Sequence, residues 1–340
     1  MSRKIQQNKL TSPELLAQVN PHNQHLMNDF LQYMRSIQRS VRTCEAYRHD
    51  LCLFFVWVLQ HADNKPFYQI TKRDITAYQG YLLEENKNSP TRVRRIKSTI
   101  SSLSNYAENM LDDEPEYKGF RSIVRKVENP PLYHVQDKTV LKDYQVQKLL
   151  TMLMNRGKYE QACAAALAFY SGRRKSELAR FKVSDFTDEH LVCDGALYKS
   201  DPIQTKGRGK GKFINCYTLV KQFKPYLDAW LKYRDENGIE TEWLLPDPDI
   251  HSAQVSQATM NSWAKTFTKL LGLDFYWHAC RHYYTTFLVR AGLPDSVITE
   301  IVGWESPEMV KVYNDLGAEE QISAWFRGGE PLKAEESITL

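Results

Sequence analysis

His278-Ala279-Cys280-Arg281-His282-Tyr283-Tyr284-Thr285-Thr286-Phe287 is the stretch on which the fold of this chain turns, together with Val302-Gly303-Trp304 and Met309-Val310-Lys311-Val312-Tyr313 just beyond it. The run from His278 opens a helix, and His278 and His282, four residues apart, share one helical face. Gly303-Trp304 stands nine residues before Tyr313, which sits among apolar neighbours at helical spacing. Far upstream, Ser171-Gly172-Arg173-Arg174-Lys175-Ser176-Glu177-Leu178 sets Arg174 and Glu177 one helical turn apart. Each segment alone says little, because a tyrosine on an apolar helix is ordinarily core and Arg-x-x-Glu occurs on any helix.

In this order and spacing the three segments resemble the tyrosine recombinase (phage integrase) family, with its Cre-like and Xer-like members. The run from His278 to Gly303, including Ala291-Gly292, follows the family pattern almost position by position. Tyr47-Arg48-His49-Asp50-Leu51 and the stretch from Arg73-Asp74-Ile75 to Tyr81-Leu82-Leu83 resemble the family's core-binding domain, so the likeness spans nearly the whole chain. It implies a mainly α fold with a small antiparallel sheet: a helical, SAM-like core-binding domain followed by a mixed α+β catalytic domain. It also implies an enzyme that cuts and rejoins double-stranded DNA through a 3′-phosphotyrosyl link and a four-way junction, without cofactor or metal.

The chemistry fits that implication. A phenol attacking a phosphodiester builds negative charge on the nonbridging oxygens, which preorganised cationic donors must meet. Arginine suits the task, since its planar fork pairs two oxygens and stays charged. The resemblance gives Tyr313 the nucleophile's role, Arg174 and Arg281 the phosphate, His278 a place as donor or proton acceptor, and Trp304 a position often held by His. Glu177 would orient its neighbours. The family takes the leaving group's proton from a hairpin lysine, and Lys206 in Thr205-Lys206-Gly207-Arg208-Gly209-Lys210-Gly211-Lys212 fits best. A plain phosphate-binding loop formed by Arg208, Lys210 and Lys212 is the simpler reading of that tip. Arg173 departs from the family, which usually has an apolar residue there. The Arg-x-x-Glu register favours Arg174 for catalysis, and leaves Arg173 to point elsewhere, toward DNA.

Outward from the site, helical periodicity runs through residues 22–112. Thr43 to Leu59 places Tyr47, Leu51, Phe54, Phe55 and Val58 on one face, and Thr71-Lys72-Arg73-Asp74 reads as a capped helix start. Ser89-Pro90-Thr91 opens a helix whose seam is Val93, Ile96, Ile100, Leu103, Ala107 and Met110. Its first turns carry Arg92, Arg94, Arg95 and Lys97 with no acid between them, which opposes the helix dipole and suits phosphate contact. The expected organisation is a flexible polar N-terminus over 1–20, ordered at most as a short helix at Ser12-Pro13-Glu14-Leu15-Leu16, a core-binding domain over 21–114, a proline-containing linker over 115–140, a catalytic domain over 141–327 and a polar tail over 328–340. Strands are expected at 190–196, with 202–205 and 213–217 as hairpin arms. Beyond Tyr313, Ala318, Ile322, Trp325 and Phe326 recur at helical spacing, ended by Gly328-Gly329. Such a helix would dock on its own chain or, as the resemblance implies, on a neighbouring protomer of a tetramer assembled on paired inverted-repeat sites.

Composition sets outer bounds. The 340 residues suffice for two cores, and a net charge of +4 permits nucleic-acid binding without requiring it. No apolar run approaches the roughly 18 residues of a membrane span, and Met1-Ser2-Arg3-Lys4-Ile5 leads into no signal-peptide core, so a bacterial cytoplasmic location, host- or phage-encoded, is expected. The scattered cysteines 44, 52, 163, 193, 216 and 280 suit reduced thiols. Rival readings are a zinc site on His278 and His282, a type IB topoisomerase or telomere resolvase, and a catalytically silent DNA-binding relative. Cys280 points away from the histidine face and Arg281 would repel a cation, which weighs against zinc.

Overall fold

The computed structural model describes residues 10–131, 141–205, 211–313, 326–327 and 330–331, which fall into two compact units, one ending at 131 and the other starting at 141. In the first unit, helices α1 (Pro13–Gln18), α2 (Pro21–Ser36), α3 (Val41–His61), α4 (Lys72–Glu84) and α5 (Pro90–Met110) surround a single core. Side chains that hold orphan backbone donors set their starts. Ser12, Asn20, Ser40 and Ser89 each accept from a first-turn N–H, and Thr71 and Asp74 form a reciprocal capping box. Proline at the first position of α1, α2 and α5 gives up only an N–H that would have no helical partner.

The seam of α5 buries Val93, Ile96, Ile100, Leu103 and Ala107, whereas Met110, read as its last member, is exposed where the helix ends. Tyr117, Ile123 and Val124 are also buried in this core. The stretch from 115 to 124, expected to be linker, is therefore part of the first unit, because its apolar residues find a surface that proline content alone does not reveal. Residues 132–140 lie outside the described ones.

The second unit centres on α7 (Tyr159–Ser171), whose residues from Ala162 to Ser171 are all buried. Its run of alanines lets neighbouring backbones come close on several sides. Around it lie α6 (Asp143–Asn155), the single turn α8 (Lys175–Leu178), α9 (Val220–Glu236), α10 (Gln257–Leu271) and α11 (Trp277–Arg290), with α12 (Asp295–Val302) and α13 (Glu308–Tyr313) closing the site. Strands β1 (Leu191–Val192), β2 (Leu197–Lys199) and β5 (Tyr217–Leu219) form an antiparallel sheet in the order β1-β2-β5, and β3 (Ile203–Gln204) pairs with β4 (Phe213–Ile214) as a separate hairpin. The single strand expected over 190–196 is broken, because Cys193 and Asp194 turn with positive φ before Gly195 and β2 follows. Tyr217, read as a hairpin arm, pairs with Lys199 in the sheet instead.

The tail differs as well. Phe326 lies in β6 (Phe326–Arg327), which pairs with β7 (Glu330–Pro331), and not in a helix. Gly328 and Gly329, read as the helix stop, lie outside the described residues. Ala318, Ile322 and Trp325 lie outside the described residues. Among the described residues no helix is long and apolar enough to cross a membrane.

Candidate active site

The site forms where three separated segments of the second unit meet. Helix α7 ends at Gly172 in the left-handed conformation (φ +61°). A Cβ there would lie 2.4 Å from the ring of buried Tyr284, so only glycine makes this turn without displacement. The chain leaving it sends two adjacent arginines in different directions. Arg174 is half-buried and faces Glu177: its backbone N–H donates to Oε2 at 3.0 Å and Nη1 to Oε1 at 2.9 Å. Thr205, at the end of β3, donates its hydroxyl to the same Oε1 and lies 3.5 Å from Arg174 Nη1. Burial alone would raise the Glu177 pKa. The donors from Thr205 and Arg174 outweigh it and hold the carboxyl below its ordinary range.

Arg173 goes inward. It is fully buried, and it donates to the carbonyls of Ile301 and Val302. The expectation that it reaches DNA is therefore corrected: the interior offered the free carbonyls at the end of α12, and no surface is left to the side chain.

Helix α11 supplies the next group. Its first turn is anchored by Trp277, whose indole N–H donates to Met260 O at 2.8 Å. His278 stands exposed beside it, and its Nε2 lies 2.9 Å from the Tyr313 hydroxyl. Arg281, one turn on, is wholly buried, donating to Gly172 O at 3.0 Å and Val302 O at 3.2 Å. Its guanidinium carbon lies 5.0 Å from the centre of the Trp304 ring and 5.7 Å from that of Tyr313. Tyr313 ends α13 between aromatic neighbours, with the His282 ring centre at 4.6 Å and Trp304 at 4.9 Å. Three guanidiniums share this corner with one carboxylate. Burial, then Arg174 and Arg173, push the Arg281 pKa down to about 9. The corner is thus short of negative charge, which a phosphodiester would supply.

The hairpin residues Lys206, Arg208 and Lys210 lie outside the described residues. Lys212 forms an ion pair with Glu305 at 3.4 Å. Sequence reasoning missed Thr205, since a threonine at a strand end carries no signal of its own; it set His282 on the face of His278 but not against the Tyr313 ring, a contact that only the fold makes. Cys280 is fully buried while His278 is exposed, so the two do not converge on one ligand position.

The basic residues of α5 are less free than their sequence implied. Arg92 and Arg95 both reach Asp50 Oδ1 at 2.8 Å, and Thr99 donates to Oδ2 of that fully buried carboxylate. Arg94 Nε donates to Pro130 O at 2.9 Å. Lys97, expected on the DNA face, is buried and donates to Val127 O and Glu128 O, both at 2.6 Å. It ties the following segment to α5 and is corrected from a surface contact to an internal one.

Residues 139–320 match the model of the phage integrase family, and residues 26–114 match that of the phage integrase N-terminal SAM-like domain. The SPbeta prophage-derived recombinase-like protein YomM of Bacillus subtilis is 28% identical over 255 residues, covering 72% of this chain and 74% of that protein. A tyrosine recombinase of Thermosipho africanus is 22% identical, covering 88% of this chain and 96% of that one. In fold, the chain superposes on the XerH site-specific recombinase bound to a palindromic difH substrate with a TM-score of 0.66 at 15% identity, covering 84% of this chain and 79% of the other. The chain belongs to the phage integrase family: it is a tyrosine recombinase, an enzyme that transfers DNA strands at specific sites.

Proposed function

We propose that Tyr313 is the nucleophile of this recombinase and that Arg174, Arg281, His278 and Trp304 surround the scissile phosphate. The observation that carries this reading is the 2.9 Å contact between His278 Nε2 and the Tyr313 hydroxyl directly above buried Arg281. In the tautomer with Nε2 unprotonated, His278 accepts the phenolic proton as the phenol oxygen bonds to phosphorus. The bond to the 5′-oxygen breaks, and that oxygen takes a proton from Lys206. Thr205, the residue before Lys206, is bound to Glu177, which supports delivering the lysine to the Arg174 side of the phosphate. Arg174 and Arg281 meet the developing charge, and the Trp304 indole N–H, which has no partner among the described residues, is a further donor.

Arg281 has no solvent exposure in the free chain and faces the rings of Trp304 and Tyr313. The phosphotyrosyl bond retains the energy of the phosphodiester, and a 5′-hydroxyl from a second duplex reseals it by the reverse step. Two such exchanges need four protomers on two paired sites, each site an inverted repeat. The basic residues near the surface of α5 (Arg92, Arg94 and Arg95) and the tip residues Arg208, Lys210 and Lys212 are proposed to hold the backbone. The apolar tail with Ile322, Trp325 and Phe326 is proposed to seat on the neighbouring protomer.

Tyr313→Phe should bind target DNA as the parent does and form no covalent adduct on a nicked suicide substrate. An adduct that survives denaturation in that variant would transfer the role to Tyr276, Tyr283 or Tyr284.

A further inference from the structure

Arg173 occupies a place that the family usually leaves apolar, and here it is buried completely. A guanidinium out of water must find strong acceptors or destabilise the fold. Among the described residues its acceptors are two successive carbonyls, Ile301 O and Val302 O. These close α12, where backbone acceptors have no partner within the helix and the dipole favours a cation. Val302 O also receives Arg281, so two buried arginines meet on one oxygen. The next residue, Gly303, turns with φ +71°, and a Cβ on it would lie 3.1 Å from Arg173 Nη1 and 2.9 Å from Ile214 Cδ1. The guanidinium is thus packed against the corner from which Trp304 departs. At its other end Arg173 is bonded directly to Arg174, whose backbone Glu177 holds.

We infer that Arg173 is a positioning residue for strand cleavage: it fastens the segment carrying Arg174 to the end of α12 and so sets Trp304, and with it the Tyr313 ring, over Arg281. This rests on the reading of Trp304 as a donor to the phosphate. Leucine at this position fills space but offers no donor to Ile301 O, so the angle at which Trp304 leaves Gly303 is then set by packing alone.

The test uses the full-length protein on a nicked suicide substrate, with DNA affinity and thermal unfolding measured in parallel. Arg173→Met keeps the volume and removes both donors. Its adduct rate at saturating DNA should fall by a factor on the order of thirty, as sub-ångström misplacement of reacting groups does, with affinity within about twofold of the parent. Arg173→Lys, with one donor left, should recover part of the rate. The double variant Arg173→Met/Trp304→Phe should be no slower than Trp304→Phe alone, because residues acting through one another are not additive.

Three results would overturn the inference: Arg173→Met cleaving at the parent rate, single-variant effects that multiply in the double variant, or recovery of Arg173→Met on a methylphosphonate substrate, which would make the missing group a charge for the phosphate. If Arg173→Met does not fold, Arg173→Lys carries the test, and the parent rate there refutes the role. A Trp304→Phe variant as fast as the parent removes Trp304 from the proposed mechanism, and with it this route. Slow Trp304→Phe beside fast Arg173→Met sinks the positioning role alone.

Discussion

Glu177 shows how a single buried acid organises the proposed site. Its carboxylate collects donors from Arg174 and Thr205 and is itself almost inaccessible. Glu177→Gln keeps the shape but gives up the charge that matches Arg174, so adduct formation should slow by a factor on the order of ten while DNA affinity holds. Since the folded-state pKa is lowered, the carboxylate's contribution to stability is complete above the ordinary carboxylate range and is lost as pH falls through the folded value. The gap in unfolding free energy between parent and Glu177→Gln should therefore be flat from pH 8 to 6, and shrink only in acid. Chemical denaturation at a series of pH values measures this, and a gap that closes near neutrality would contradict it. Gly172 is a purely conformational case. Gly172→Ala forces a side chain into the left-handed region and into the Tyr284 ring, and should cost about 3 kcal/mol, read as a lowered unfolding midpoint. An unchanged midpoint would mean that the turn relaxes more easily than its packing indicates.

Among the elements, the β3–β4 hairpin and α5 make separable predictions. The hairpin pairs Ile203 with Ile214 and Gln204 with Phe213, which brings its incoming arm to Thr205 beside Glu177. If the residue after Thr205 is the general acid, Lys206→Ala should be slow on an ordinary phosphodiester and largely restored when sulfur replaces the leaving oxygen, because a thiolate departs unprotonated. Rescue of Lys212→Ala in place of Lys206→Ala would shift the acid to the outgoing arm. In α5, Asp50 neutralises part of the charge of Arg92 and Arg95 but leaves both side chains partly exposed. Replacing each with Gln should flatten the dependence of log affinity on log salt by about 0.9 for every phosphate no longer neutralised. An unaltered slope would make the pair a structural clamp on Asp50 and nothing more.

For the molecule as a whole, the prediction concerns assembly. Recombination between two sites needs protomers that communicate, and the residues beyond Tyr313 carry apolar side chains next to the proposed nucleophile. A tail seated on its neighbour in head-to-tail fashion closes into a ring only when four protomers are on DNA. Truncation after Leu316 should leave the unfolding midpoint and single-site binding near the parent's, and abolish the paired-site complex in gel-shift and light-scattering measurements. A truncated protein that unfolds, or that pairs two sites at the parent rate, would rule out docking in trans.

Some of this was legible in one dimension. Caps at Ser89 and Thr71, the apolar faces of α3 and α5, and the spacing of His278, Arg281, Trp304 and Tyr313 depend on residues three or four apart or on a motif read along the chain. The sequence alone was therefore enough to determine them. What only the tertiary structure decided is which groups lose water and to whom. The Arg-x-x-Glu register pairs Arg174 with the carboxylate three residues on, but nothing in the string shows that Arg173 turns inward to the carbonyls of Ile301 and Val302. Asp50, the counter-charge missing from α5, lies 45 residues before Arg95, and Lys97 finds its acceptors 30 and 31 residues ahead. Burial and ion pairing belong to the packed neighbourhood, whose members are assembled from distant parts of the chain, and no local period encodes them.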